Sequence, residues 1–226
     1  MRLFTALAAA AVLAMPASAV TLFSQNFDTV PHINNSTNVA GFTVSGGIDV
    51  LRSGSSGVTC VGAAGRCIDL VGSPNVGSIT SNVINFSGGN LITVTFDLSG
   101  NQRLTGSDTF NFALTFTTPE NIASVSSTGF QTAYGSTGVV SGFGTYAESI
   151  NRTRPFVSYV LSFIPTSSGS LRLLFGSVGA NDARGPILDN VAVNSTVVPE
   201  PNTWAMLLAG FAFVGLASRR RRANLA

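Results

Sequence analysis

Alternation of apolar and polar residues is the feature that most constrains how this chain of 226 residues can fold. Segments rich in glycine, serine and asparagine separate the alternating runs, as expected of turns. Runs with this period of two form half-buried antiparallel strands. The clearest of them cover residues 92–98, 109–117, 157–163, 171–175 and 187–193. Shorter candidates cover 21–27, 47–51, 66–71 and 79–86. The sequence therefore predicts an all-β domain over residues 20–197, a two-sheet antiparallel β-sandwich of the jelly-roll kind.

The composition of this central region excludes several functional classes. Seven arginines face nine acidic residues between positions 20 and 198, so the region is mildly acidic and lacks the basic surface of a nucleic-acid binder. The chain contains no lysine, which excludes a P-loop and Schiff-base chemistry. Its single histidine, His32, lies in a polar segment, and its acidic residues are scattered singly. These features predict that the protein is not an enzyme.

The first 19 residues have the pattern of a cleavable signal peptide. Met1 and Arg2 precede an apolar run over 3–15, and Ala17-Ser18-Ala19 has the small-x-small pattern read by signal peptidase. The run is too short to span a bilayer. The alternative interpretation is a buried N-terminal helix. We expect cleavage after Ala19 and export of the chain.

The last segment, 198–226, has an apolar run and a basic end. Residues 204–218 are uncharged. As a helix they would extend about 22 Å, short of the hydrocarbon core of about 30 Å. Four arginines follow at once and would stay on the cytoplasmic side. The run is therefore predicted to be an apolar helix that anchors the chain transiently in the membrane; a buried C-terminal helix is the alternative.

Specific residues of this segment resemble the PEP-CTERM sorting signal of Gram-negative bacteria. They are Pro199, Glu200, Pro201, Trp204, Arg219, Arg220, Arg221 and Arg222. The resemblance implies recognition by an exosortase-type processing enzyme. It also implies a producer of extracellular polysaccharide, with the protein ending at the cell surface or outside the cell.

The two cysteines, Cys60 and Cys67, enclose six residues that include two glycines. An exported chain with two cysteines at this spacing is expected to form one disulfide. A metal site would need further ligands that the sequence does not place nearby.

Segments 96–103, 171–176 and 185–193 resemble the galactose-binding-like jelly-roll domains of secreted bacterial proteins. The resemblance implies a two-sheet sandwich, often with a structural Ca²⁺ and sometimes with affinity for carbohydrate. The residues that match the calcium-binding carboxylates are Asp28 and Asp189. The alternative makes Asp189 a strand residue bonded to neighbouring amides and Asp28 a turn residue.

Tyr134 and Tyr146 are the candidates for stacking on sugar rings, because the central region lacks tryptophan and both lie in a weakly alternating excursion over 119–150. The expected role is structural or adhesive, linked to extracellular polysaccharide or biofilm. The alternative is a carbohydrate-binding module for the producer's own exopolysaccharide. A glycoside hydrolase or lyase is a third class.

Overall fold

The computed structural model describes residues 18–72, 76–103, 106–178, 182–198 and 209–215. Residues 19–198 form one compact unit. The predicted signal peptide therefore lies outside the described residues except for Ser18 and Ala19. The sorting residues 199–201, 204 and 219–222 lie wholly outside them.

Residues 19–198 form an all-β domain, as predicted. Its twelve strands are β1 Ala19–Gln25, β2 Ile33–Val39, β3 Phe42–Arg52, β4 Arg66–Asp69, β5 Ser78–Ser81, β6 Ile84–Phe86, β7 Leu91–Ser99, β8 Ser107–Thr128, β9 Gly138–Asn151, β10 Val157–Pro165, β11 Gly169–Val178 and β12 Ile187–Thr196. Every described pairing between them is antiparallel.

The hydrogen bonding of eight strands closes on itself, which differs from the prediction of two separate sheets. The ring runs β11-β5-β3-β4-β12-β7-β10-β8 and returns from β8 to β11. Strands β1, β2, β6 and β9 each pair with one member of the ring. A single continuous sheet thus replaces the predicted boundary between two sheets.

Long strands that change partners account for this closure. The first part of β8 pairs with β11 through Phe116↔Leu171, whereas its second part pairs with β10 through Val125↔Phe163. Strand β3 likewise pairs first with β5 and then with β4, on either side of Gly46, whose φ is +75°. Strands that bend and switch partners form corners between the faces of a β structure.

Aromatic side chains fill the core inside the ring. Phe96, on β7, is 1% exposed and stacks on Tyr159 with ring centroids 4.8 Å apart. The centroid of its side-chain ring also lies 5.0 Å from that of Phe112 on β8 and 5.1 Å from that of Phe175 on β11. Aromatic pairs at these separations add stability beyond the area that they bury. These phenylalanines, at 0–1% exposure, form the centre of the core.

The excursion over 119–150 is more regular than its sequence indicates. Strand β8 continues to Thr128, pairing with β9 as far as Ile122 and with β10 beyond it, and β9 covers Gly138–Asn151, so most of the segment lies in strands. The β8–β9 pairing contains two register shifts, where Thr145, Gly142 and Val140 of β9 pair with Ala113, Thr115 and Glu120 of β8. Such bulges reverse the face to which successive side chains point.

A helix covers residues 209–215, within the predicted apolar run. Among the residues that the structure describes, none of the helices combines the length and the hydropathy needed to cross a membrane.

Candidate functional site

The disulfide predicted between Cys60 and Cys67 is present, and it organises the candidate site. The two Cα atoms are 5.6 Å apart. Both cysteines are buried, in a small cluster of their own with Leu51, Val58 and Ile187. The bridge therefore closes the loop between β3 and β4 onto β12.

Reducing this bridge should destabilise the domain measurably. Replacing both cysteines by serine is expected to lower the free energy of unfolding by about 2–3 kcal/mol, because an eight-residue loop regains its freedom in the unfolded chain. Urea unfolding of residues 20–198, with and without the double substitution, measures this loss. An unchanged unfolding midpoint would contradict it.

Asp189 lies against the disulfide loop because of a bulge in β12. The register with β7 shifts between Asp189 and Ala192, and Asn190 takes a φ of +50°, which asparagine tolerates. Asp189 is 3% exposed, and its Oδ2 accepts a hydrogen bond of 3.1 Å from the amide of Val61. Its Oδ1 accepts from the amide of Asn190 at 2.8 Å. The carboxylate thus ties β12 to the loop that the disulfide closes.

Asp28 and Asp97 lie near enough to Asp189 to interact with it electrostatically. Burial raises the pKa of Asp189 to about 7, and repulsion from Asp28 and Asp97 adds to that effect, although the two amides that donate to it act in the opposite direction. Asp97 Oδ2 accepts a hydrogen bond of 2.9 Å from the Nδ2 atom of Asn190. Three carboxylates therefore converge on one region.

The hydrogen bonds of Asp28 and Asp189 match the alternative reading of these residues better than a calcium site. Asp28 Oδ1 accepts from the amide of Arg66 at 2.9 Å, and its Oδ2 accepts from the Nδ2 atom of Asn26 at 2.9 Å. Each carboxylate oxygen of the pair thus already accepts an N–H. Both disulfide sulfurs also lie within 4.8 Å of a carboxylate oxygen of Asp189. Disulfide sulfurs do not serve as calcium ligands, because Ca²⁺ requires six to eight oxygen ligands.

Calcium binding by this pair stays a prediction, and a melting experiment tests it. The hydrogen-bonded arrangement predicts the same melting temperature for residues 20–198 in EDTA and in excess CaCl₂. An ion that bound the folded domain would raise the melting temperature by mass action. A rise that Asp189→Ala abolishes would establish the calcium site instead.

Asp189 also predicts a pH dependence of stability. Because its pKa is raised, Asp189 keeps its proton in the folded domain between about pH 4 and pH 7, where the same group in the unfolded chain has lost it. The free energy of unfolding therefore falls as the pH rises through that window. Asp189→Asn should remove this decline. We expect the variant to gain stability relative to the parent, by roughly 2–4 kcal/mol from pH 4 to pH 7. Urea titrations at both pH values in EDTA measure the difference, and a constant difference would contradict it.

Tyr134 and Tyr146 do not lie on a surface, contrary to the prediction. They are 5% and 6% exposed and belong to the main core cluster. The hydroxyl of Tyr134 accepts from the amide of Leu114 and donates to the carbonyl of Gly144, where the β8–β9 ladder is interrupted. These side chains are therefore unavailable for stacking on sugar rings from solvent.

Four of the nine acidic residues in the described β domain form ion pairs: Asp69, Asp108, Glu148 and Asp182. Glu148 is 2% exposed and forms an ion pair with Arg154; its Oε2 atom accepts from the hydroxyls of Tyr146 and Tyr159, each at 2.7 Å. Asp69 pairs with Arg103. Breaking such a buried pair is costly because a charge is left without a partner. These carboxylates have structural partners.

A pocket of about 500 Å³ opens beside the disulfide. Its lining comprises Thr59, Cys60, Val61, Gly62, Gln102, Thr153, Arg154, Pro155 and Phe156. The side-chain amide of Gln102 is occupied at both ends, accepting from the amide of Thr59 and donating to its carbonyl. Phe156 is partly buried and packs against the disulfide cluster. The pocket therefore presents one partly exposed aromatic ring, that of Phe156.

Comparison with known proteins identifies the C-terminal segment. A protein-family model described as the PEP-CTERM protein-sorting motif matches residues 197–222. The chain carries a PEP-CTERM sorting motif. This motif implies an exported protein. It covers none of the strands, so the activity of the β domain is not identified by it.

Comparisons of the whole chain are more distant. No curated protein matches it. Among solved structures, the CBM22-1 xylan-binding domain from Paenibacillus barcinonensis has 12% identity and a TM-score of 0.39, with 81% of this chain and 98% of that one covered. The enzymatically active domain of bacteriophage CBA120 tailspike protein 4 has 12% identity and a TM-score of 0.42. That match covers 70% of this chain, which spans about 20% of the tailspike chain. Similarity at this level identifies neither a ligand nor an activity.

Proposed function

We propose that this chain is an exported, non-catalytic surface or matrix protein. Its β domain, residues 20–197, is displayed at the cell surface or released among extracellular polysaccharide, where its role is structural or adhesive. The single observation that carries this proposal is the PEP-CTERM motif, which begins at residue 197, directly after the last strand ends at Thr196. A signal peptidase would cut after Ala19, and an exosortase-type enzyme would act in segment 198–226.

The described domain supports the proposal in two ways. The disulfide between Cys60 and Cys67 suits an oxidising compartment outside the cytoplasm. The large aromatic core suits a domain that must persist outside the cell. We further infer a jelly-roll sandwich whose faces pack across that core, since Phe96 on β7 contacts Phe175 on β11.

Cell fractionation tests the proposal. The full chain is expressed in a producer strain with its exosortase and in the same strain lacking that enzyme. Protease added to intact cells should reach the β domain, or the medium should contain it, only in the first strain. Equal distribution in both strains would contradict sorting by this motif.

Binding of the producer's exopolysaccharide is the second candidate function, and the pocket beside the disulfide favours it. A pocket of this volume is in the range of small-molecule sites and has room for sugar units, and its partly exposed aromatic ring could stack on one of them. Affinity electrophoresis of residues 20–198 in gels containing that polymer tests it. Retardation that Phe156→Ser removes would support a binding module; unretarded migration would leave the structural role.

A further inference from the structure

One end of the closed sheet is built from turns that hydrogen-bond to one another. Asn90 Nδ2 donates to Ser195 Oγ at 3.1 Å, and the amide of Gly89 donates to the carbonyl of Pro165 at 2.7 Å. The amide of Thr166 donates to the carbonyl of Asn121 at 2.8 Å. We call this surface the neutral end; it comprises 19–21, 85–91, 117–122, 138–140, 164–170 and 194–198.

The neutral end exposes almost no charged side chain. Glu120 is the single charged residue in these segments, all of which the structure describes. It is 2% exposed, and its Oε1 atom accepts from the amide and the hydroxyl of Ser167 at 3.0 and 2.7 Å. The seven arginines and the eight other acidic residues of residues 20–198 lie elsewhere in the domain. A protein that covered this end would meet one exposed ion, the α-ammonium group that cleavage after Ala19 would leave on Val20, and would have no exposed charged side chain to desolvate.

Apolar side chains are exposed at the same end. Val20 is 57% exposed and lines a groove of about 260 Å³ together with Leu22 and Phe86. Val197 and Val198 are 57% and 41% exposed. Polar but uncharged groups, from Asn85, Ser87 and Ser195, complete the groove. An uncharged, partly apolar surface of this kind suits contact with another protein.

The chain leaves the domain at this end, toward the sorting motif. Ala19 pairs with Thr196, so the first and last strands meet there. Only Val197 and Val198 separate the end of β12 from Pro199. Two extended residues reach about 7 Å. A protein that binds the Pro-Glu-Pro segment must therefore approach the neutral end closely.

We infer that the neutral end is a docking surface for the processing enzyme that recognises the sorting motif. This inference rests on the proposed function. The enzyme would contact the folded domain through an uncharged, partly apolar surface of its own while it binds residues 199–201. Substrate recognition would then extend beyond the motif to the turns at 85–91 and 164–170.

Charge substitutions test this inference in the full chain. Ser87 and Thr166 are exposed at the neutral end, and Ser149 is exposed on β9 near the opposite end. Each is changed to glutamate and, separately, to arginine. Pulse-chase labelling in the producer strain then measures conversion of precursor to processed protein, and melting curves of residues 20–198 check that each variant folds.

Both signs of charge at Ser87 or Thr166 should slow processing by about tenfold, the factor produced by about 1.4 kcal/mol of lost docking free energy. The changes at Ser149 should leave the rate unaltered. A flexible linker of about 12 glycine and serine residues between Val198 and Pro199 should restore the rate of the slow variants, because it separates the motif from the domain.

Equal processing of all variants would overturn the inference. Slowing by glutamate alone would also overturn it, since that pattern indicates anionic lipid headgroups as the neighbour. Failure of the unsubstituted chain to be processed would instead remove the proposed function itself.

Discussion

Deleting residues 199–226 is expected to abolish sorting while leaving the β domain folded. The deleted residues hold most of the matched motif and the apolar run, whereas the strands end at Thr196. Without them the chain should accumulate in the periplasm, with a surface or extracellular fraction reduced by at least about tenfold. Quantitative blotting of periplasmic, membrane and medium fractions measures this.

A matched variant separates the arginines from the rest of the tail. Replacing Arg219 to Arg222 by glutamine preserves the length and the apolar run but removes the charges that fix its orientation. Processing should be slowed or misdirected, and the melting temperature of the domain should not change. Surface display of the deletion variant at the level of the parent would show that the tail is dispensable.

Phe96→Ala should produce the largest loss of stability among single changes in the core. The ring is 1% exposed and contacts Tyr159, Phe112 and Phe175, with centroids within 5.1 Å in every case. Removing a buried phenylalanine leaves a cavity and costs about 3–5 kcal/mol. Urea unfolding of residues 20–198 gives the change in free energy.

Phe23→Ala is the matched control for this change. Phe23 lies on the outer strand β1, is half-buried, and contacts Phe42 at 5.4 Å. Its loss should cost about 1–2 kcal/mol, because the site opens to solvent and less apolar area leaves water. Equal losses at the two positions would contradict a core centred on Phe96.

Strands with a regular alternation could be predicted from the sequence, and others could not. The run 92–98 became β7 at Leu91–Ser99, since one face is buried along its whole length. Strand β2, Ile33–Val39, was missed because it carries Asn, Ser and Thr and pairs only with β3. An outer strand that buries few side chains has no alternation to detect.

Closure of the sheet depends on partners far apart in the chain. Nothing in the residues of β8 indicates that its two halves pair with β11 and β10, because a strand's own pattern reports burial and not the identity of its neighbour. The same limit applies to Tyr134 and Tyr146. Their loop composition indicated exposure, but both rings pack in the core, and the hydroxyl of Tyr134 bonds to Leu114 and Gly144, which are distant in the sequence.

The candidate site was likewise predicted from the sequence only in part. The spacing of Cys60 and Cys67 was enough to predict their disulfide. Asp189 was singled out by resemblance, yet its contact with the amide of Val61 joins residues 128 positions apart. Only the folded chain shows that this carboxylate fastens β12 to the disulfide loop.

The C-terminal residue of mature protein tests the central claim most directly. Intact mass and C-terminal peptide mapping are applied to protein isolated from a producer strain with an active exosortase. Processing of the motif predicts that the chain starts at Val20 and ends within or just before residues 199–226, with the apolar run removed. Mature protein that still ends at Ala226 would contradict the claim.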